Sequence, residues 1–135
     1  MQNEHRDLLG PTRTALEAVG VPWVIENVMG AVDEMRDPVL LCGAYFGLNT
    51  YRHRLFETGG WDLPQPEHPA HTRRQTKMGR RRKPDEMGYY VGNFIGVDDA
   101  KEDLDVPWMS REGIRECIPP AYAEYVGKAF IEQLD

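Results

Sequence analysis

The chain has 135 residues, 41% of them hydrophobic, with three Trp and six Tyr, which suits one modest folded domain and excludes a disordered tail. Its longest apolar stretches, such as Pro38 to Gly47, are far too short to span a bilayer, and the first residues lack the positive flank and apolar run of a signal peptide. Net charge is −6, but seven of the sixteen basic residues fall between Arg73 and Lys83, leaving nine against 22 acidic residues elsewhere; this is no general nucleic-acid coat, only one local cationic segment on an acidic body.

In chain order, Pro11 to Val19 reads as a short helix, with Leu16 and Val19 at helical spacing and Gly20 ending it. Pro22-Trp-Val-Ile is a compact apolar run with β-branched residues and predicts a buried strand that stops at Glu26-Asn27. A polar connection from Met29 to Pro38 leads to a second short strand, Val39 to Gly43, and Tyr51 to Thr58 alternates as a third. Residues 59–84, rich in Pro, His, Arg and Gly, show no period and predict a long basic loop whose limits extend to 87. Gly88 to Ile95 reads as one more strand. Helices come next over Asp98 to Leu104, from the cap Ser110 to Cys117, and from Pro119-Pro120, where Tyr122, Val126, Ala129, Phe130 and Leu134 form an apolar stripe. The pattern is α/β in a single domain spanning 1–135. A few strands with few covering helices leave a parallel sheet poorly buried, as in one part of a larger layered domain.

Three motifs stand out. In Val24-Ile-Glu-Asn-Val a carboxylate sits at the carboxyl end of a strand, where open α/β sheets bind ligands; the alternative is a polar strand end capping a loop. In Tyr51-Arg-His-Arg-Leu-Phe-Glu, Arg52 and Arg54 lie two apart and on a strand leave the same face, able to clamp a phosphate or fix a carboxylate such as Glu26; the alternative is two solvated arginines on an edge. Cys117-Ile-Pro-Pro-Ala-Tyr-Ala-Glu-Tyr-Val-Gly opens a helix whose first turn offers unpaired N–H groups, or is simply a packed terminal helix.

Taken in this order, with Pro38-Val-Leu-Leu-Cys-Gly between, the three motifs resemble those of DNA cytosine-5 methyltransferases, closest to the compact phage-type members, over most of the chain. The resemblance implies a partial methyltransferase-like (Rossmann-type) layered sheet with C-terminal helices. It implies that Glu26 contacts the target cytosine at N3, that Asn27 positions its loop, and that Arg52 and Arg54 support the site. Pro119, Pro120 and Tyr122 would line the side that binds the methyl donor, S-adenosylmethionine. The long loop takes the place of the target-recognition region. Its cations Arg73, Arg74, Lys77, Arg80, Arg81, Arg82 and Lys83 suit phosphate contact more than base readout; the alternative is a solvated loop.

The departures are equally definite. No Phe-x-Gly-x-Gly donor motif and no Pro-Cys-Gln nucleophile loop occurs, and Met1 to Leu8 resembles the family's segment just C-terminal to that loop. Cys42, in a Leu-Leu-Cys-Gly strand, reads as a small buried hydrophobe, and Cys117 precedes a helix; with no CxxC spacing both read as reduced thiols in a cytoplasm. His68 and His71 beside Glu67 lack a ligating Cys nearby, so no metal site is expected. The expected function is that of a methyltransferase half, truncated or split and inactive alone, whose donor pocket and nucleophile come from an N-terminal complementary chain; the alternative is a catalytically dead remnant that binds DNA or pairs with another protein or a second copy. S-adenosylmethionine is expected to bind only with that partner. No membrane partner is expected.

Overall fold

A computed structural model describes residues 7–134. Most of Met1 to Leu8, the segment likened to the family's stretch just C-terminal to the nucleophile loop, therefore lies outside the described residues.

The first helix, α1 (Leu9–Val19), ends where Gly20 adopts a left-handed conformation at φ 78°, as its position in the sequence predicts. Its buried side chains are Leu9 and Arg13, whereas Val19 is exposed, so the face that meets the sheet is not the one read from Leu16 and Val19. Strand β1 (Trp23–Asn27) runs through Glu26 and Asn27 and alternates between half-buried and exposed residues. It is not the fully buried strand its apolar run suggested. A 3-10 turn (Met29–Glu34) leads to β2 (Val39–Leu41), a second 3-10 turn (Gly43–Phe46) comes next, and β3 (Arg54–Gly59) completes the sheet.

The strand order is β1-β3-β2, with β3 antiparallel to both neighbours. The parallel neighbours expected of this sequence are absent among the described residues. A parallel pair needs a crossover of a dozen or more residues, usually with a helix, and no α-helix lies between β2 and β3. The two outer strands, both antiparallel to β3, run in the same direction as each other.

Alternation then sorts the sheet's two faces. Val39, Leu41 and Phe56 pack with Leu63 against Tyr122, Val126 and Ala129. Leu55 meets Leu9 and Met35, with Ile25 and Leu40 at the margin. One face thus meets α1 and the other meets the terminal helix, α4 (Pro120–Ile131), whose Pro at the first position is pre-set for a helical start. Phe130 packs edge-on against Trp61, and Leu134 lies exposed beyond the helix end.

Between β3 and α2 (Val97–Leu104) no helix or strand longer than an isolated bridge forms. The expected strand Gly88 to Ile95 is not there. The Gly88 N–H bonds to Asn49 O at 2.7 Å and its carbonyl accepts from the Thr50 hydroxyl, while Gly92 and Gly96 take positive φ and break any extension. Helix α2 and the short α3 (Arg111–Glu116), capped by Ser110 accepting from Gly113 N, form as expected. They close a second core of Tyr90, Phe94, Ala100, Leu104, Val106 and Ile114. The chain is mixed α/β. No helix among the described residues is long and apolar enough to cross a membrane.

Candidate functional site

The pairing of β1 with β3 brings two of the sequence motifs together. Asn27 lies opposite Leu55, so Arg54 reaches diagonally to Glu26, and its Nε stands 3.5 Å from Glu26 Oε1. Arg54 is mostly buried and Glu26 remains 36% exposed, so the carboxylate is screened yet reachable. Partial burial raises the pKa of Glu26, opposed by the charges of Arg54 and Arg52. The Asn27 side-chain oxygen accepts from Val28 N at 2.8 Å and shapes the turn leaving the strand.

Arg52 does something different from Arg54. Strand β3 begins at Arg54, not Tyr51, because Arg52 adopts a φ of 33° and interrupts the extended backbone. The two arginines therefore do not leave one strand face as a pair. Arg52 is buried and donates to four carbonyls: Cys117 O and Tyr90 O at 3.0 Å, Arg115 O at 3.2 Å, and Ile114 O. Burial lowers its pKa, with Arg54 adding to the effect, and carbonyls at the end of α3 supply the opposing dipoles. Tyr122 completes the knot by donating its hydroxyl to Arg52 O at 2.8 Å, with Tyr51 O at 3.1 Å.

The third motif is thus joined to the other two through Arg52. Pro119 and Tyr122 are fully buried core side chains, so neither faces a surface where a ligand has access, and Pro120 is half-buried. Tyr122 packs in the main core with Val39, Leu41 and Phe56.

A cleft of about 570 Å³ opens beside Arg54. Its walls are the turn after β1 (Val28, Met29, Gly30), the segment Tyr51 to Arg54, His71, Arg73 and Gln75 from the long loop, and Tyr89 and Tyr90. Arg52 and Arg73 commit their guanidinium groups to carbonyls and Asn49, and Tyr51 is stacked on His71, so Arg54 and the exposed Tyr89 are what the cleft offers a ligand.

The long loop is less free than its charge suggests. Arg80 makes two bonds to Glu86 at 2.8 and 2.7 Å, Arg81 two to Asp99 at 2.9 and 3.1 Å, and Arg82 two to Asp103 at 2.6 and 2.9 Å. Asp103 is buried and also accepts from the Tyr90 hydroxyl. Arg73 bonds to Asn49 and to the carbonyls of Pro84, Asp85 and Glu86. Among the described residues, four loop cations have no ion-pair partner: Arg73, which is held by carbonyls and Asn49 instead, and Arg74, Lys77 and Lys83. Arg81 and Arg82 therefore fasten the loop to helix α2 through Asp99 and Asp103, while Arg80 closes a local pair with Glu86.

One cluster escaped the reading of the sequence. The sulfur of Cys42 lies 3.4 Å from His71 Nε2, His71 Nε2 lies 3.3 Å from His53 Nε2, and His53 Nε2 lies 3.2 Å from His68 Nε2. The expectation of no metal site looked for Cys only near His68 and His71. Cys42 comes just after β2 and His53 just before β3, and the β2–β3 pairing carries both to the loop. The available signal was His68-x-x-His71 alone, because His53 was absorbed into the Arg-x-Arg motif.

No family model, curated protein or solved structure matches this chain.

Proposed function

We propose that this chain is the base-binding part of a DNA cytosine-5 methyltransferase-like protein with Rossmann-type layering, acting with a complementary segment that carries the donor pocket and the nucleophilic cysteine. In this reading Glu26 meets the base at N3, Arg54 holds its carboxylate, Asn27 sets the turn, and Arg52 fixes the frame behind them. The carrying observation is a chain of contacts: Glu26 pairs with Arg54, Arg52 donates to Cys117 O, and Arg52 and Arg54 line one cleft, so three motifs spread over some ninety residues of sequence are linked. The raised pKa of Glu26 suits a carboxyl group that shares a proton with a ring nitrogen. S-adenosylmethionine would be held chiefly by the complementary segment, since Pro119 and Tyr122 are buried.

Oriented strands add support. β1 and β2 run the same way, a helix packs on each face, and among the described residues β1 pairs only with β3, so its outer edge is open to further strands. Exposed Val19, Val21, Val24, Val28, Met29 and Val32 cluster in the sequence around that strand. The same exposed side chains favour a second reading, in which the chain is a catalytically inactive module that pairs with another protein or a second copy through this edge.

Methyl transfer from labelled S-adenosylmethionine to cytosine in duplex DNA tests the first reading. The chain alone should give none. Mixed with a segment bearing Phe-x-Gly-x-Gly and Pro-Cys-Gln, it should give transfer that Glu26→Gln reduces by about 100-fold or more, the scale of a lost proton-sharing group. Complex formation without transfer would leave the pairing module as the function. Transfer unaffected by Glu26→Gln would overturn the role of Glu26.

A further inference from the structure

We infer that Cys42, His53, His68 and His71 form a structural zinc site that staples the long loop to the sheet. The inference stands apart from the proposed methyl transfer and needs no DNA or methyl donor.

Geometry carries it. A zinc ion bound tetrahedrally at about 2.0–2.1 Å from nitrogen and 2.3 Å from sulfur holds nitrogen atoms about 3.3 Å apart and sulfur about 3.5 Å from nitrogen. The measured contacts are 3.2 and 3.3 Å between ring nitrogens and 3.4 Å from sulfur to nitrogen. All four ligand atoms lie within 4.8 Å of one another, so one common centre serves them with only small adjustments.

Hydrogen bonding alone explains the cluster poorly. His53 Nε2 lies within bonding distance of two other ring nitrogens, yet its single N–H serves only one of them. Three imidazoles turned nitrogen-to-nitrogen are what a cation at their centre would gather.

The surroundings also fit. The Tyr51 ring stacks on His71 at 3.7 Å between centroids and 13° between planes, which fixes that imidazole's orientation. The Tyr45 N–H bonds to Cys42 O at 3.1 Å and holds the turn that carries this thiol. Gly43 permits this turn, because a Cβ there would lie 1.8 Å from Thr50 O. His68 and His71 sit in a loop with neither helix nor strand, whereas Cys42 and His53 are anchored beside β2 and β3. A cross-link between the two adds to the anchor that the Arg73 backbone makes with the Tyr51 hydroxyl. Four protein ligands close the coordination sphere, which makes the site structural and not hydrolytic, and one thiolate with three imidazoles suits zinc over magnesium or calcium.

The test uses the full chain purified from zinc-supplemented culture. Elemental analysis should find about one zinc per chain. After chelation and reloading with cobalt(II), the protein should show the intense visible bands of four-coordinate cobalt and a thiolate-to-cobalt charge-transfer band in the near ultraviolet. Cys42→Ser should lose the charge-transfer band. His68→Ala, at an exposed position that tolerates truncation, should lose most of the bound zinc. Cys117→Ser, the other free thiol, should keep both signals. Zinc far below one equivalent together with a weak six-coordinate cobalt spectrum would overturn the site. So would a charge-transfer band that survives Cys42→Ser but disappears with Cys117→Ser.

Discussion

Arg52→Ala should destabilise the fold far more than Arg54→Ala, although the two side chains are two residues apart in one motif. Arg52 donates to four carbonyls, and hydrogen bonds from a charged donor contribute about 1.5–3 kcal/mol each when taken singly. They do not add, and burying the guanidinium without a carboxylate partner costs several kcal/mol in return. Removing it strands carbonyls of Tyr90, Ile114 and Cys117 and leaves a cavity, so the net loss should be about 3 kcal/mol, near 10 °C in melting temperature for a chain of this length. Arg54 has one 3.5 Å ion pair with a carboxylate that is 36% exposed, which is worth about 0–1 kcal/mol. Thermal and urea melts of the two variants followed by circular dichroism decide the matter. If Arg52→Ala melts within about 2 °C of the parent, or Arg54→Ala falls as far, the division between a framing arginine and a site arginine is wrong.

Acid should unfold the chain through its Arg-bound carboxylates. The Arg80 guanidinium, helped by the Lys83 N–H, holds Glu86 down at about 2, below its ordinary 4.5, and Arg13 and Arg81 lower Glu57 and Asp99 in the same sense. A lowered folded-state pKa gives stability that is complete above about pH 4.5 and is lost as pH falls toward 2, so melting temperature should drop across that window and drop less in Glu86→Gln; equal drops would exclude Glu86 as a contributor. DNA binding should depend on the unpaired cations of the loop. Replacing Arg74, Lys77 and Lys83 with Ala should flatten the logarithmic salt dependence by about 0.9 per lost phosphate contact, and more than replacing Arg80 and Arg81, whose carboxylate partners already neutralise them. The reverse order would mean that DNA opens those ion pairs.

Local rules made several elements legible in the sequence. Gly20, Ser110 and Pro120 mark helix ends through the conformations and caps each residue type favours, and the Tyr122, Val126 and Ala129 stripe arises from helical period. The order of short apolar strands was readable too, because β-branched runs between turn signals carry that information in themselves. Partner choice was not. The antiparallel sheet, the separate duties of Arg52 and Arg54, and the pairing of Arg81 and Arg82 with Asp99 and Asp103 depend on which residues meet across distant segments. One backbone angle at Arg52 was enough to turn a same-face pair into a core tie and a site residue. The Cys42, His53, His68 and His71 cluster was the least visible for the same reason. Two of its ligands read as unrelated residues of two strand segments until the β2–β3 hydrogen bonds set them opposite the loop.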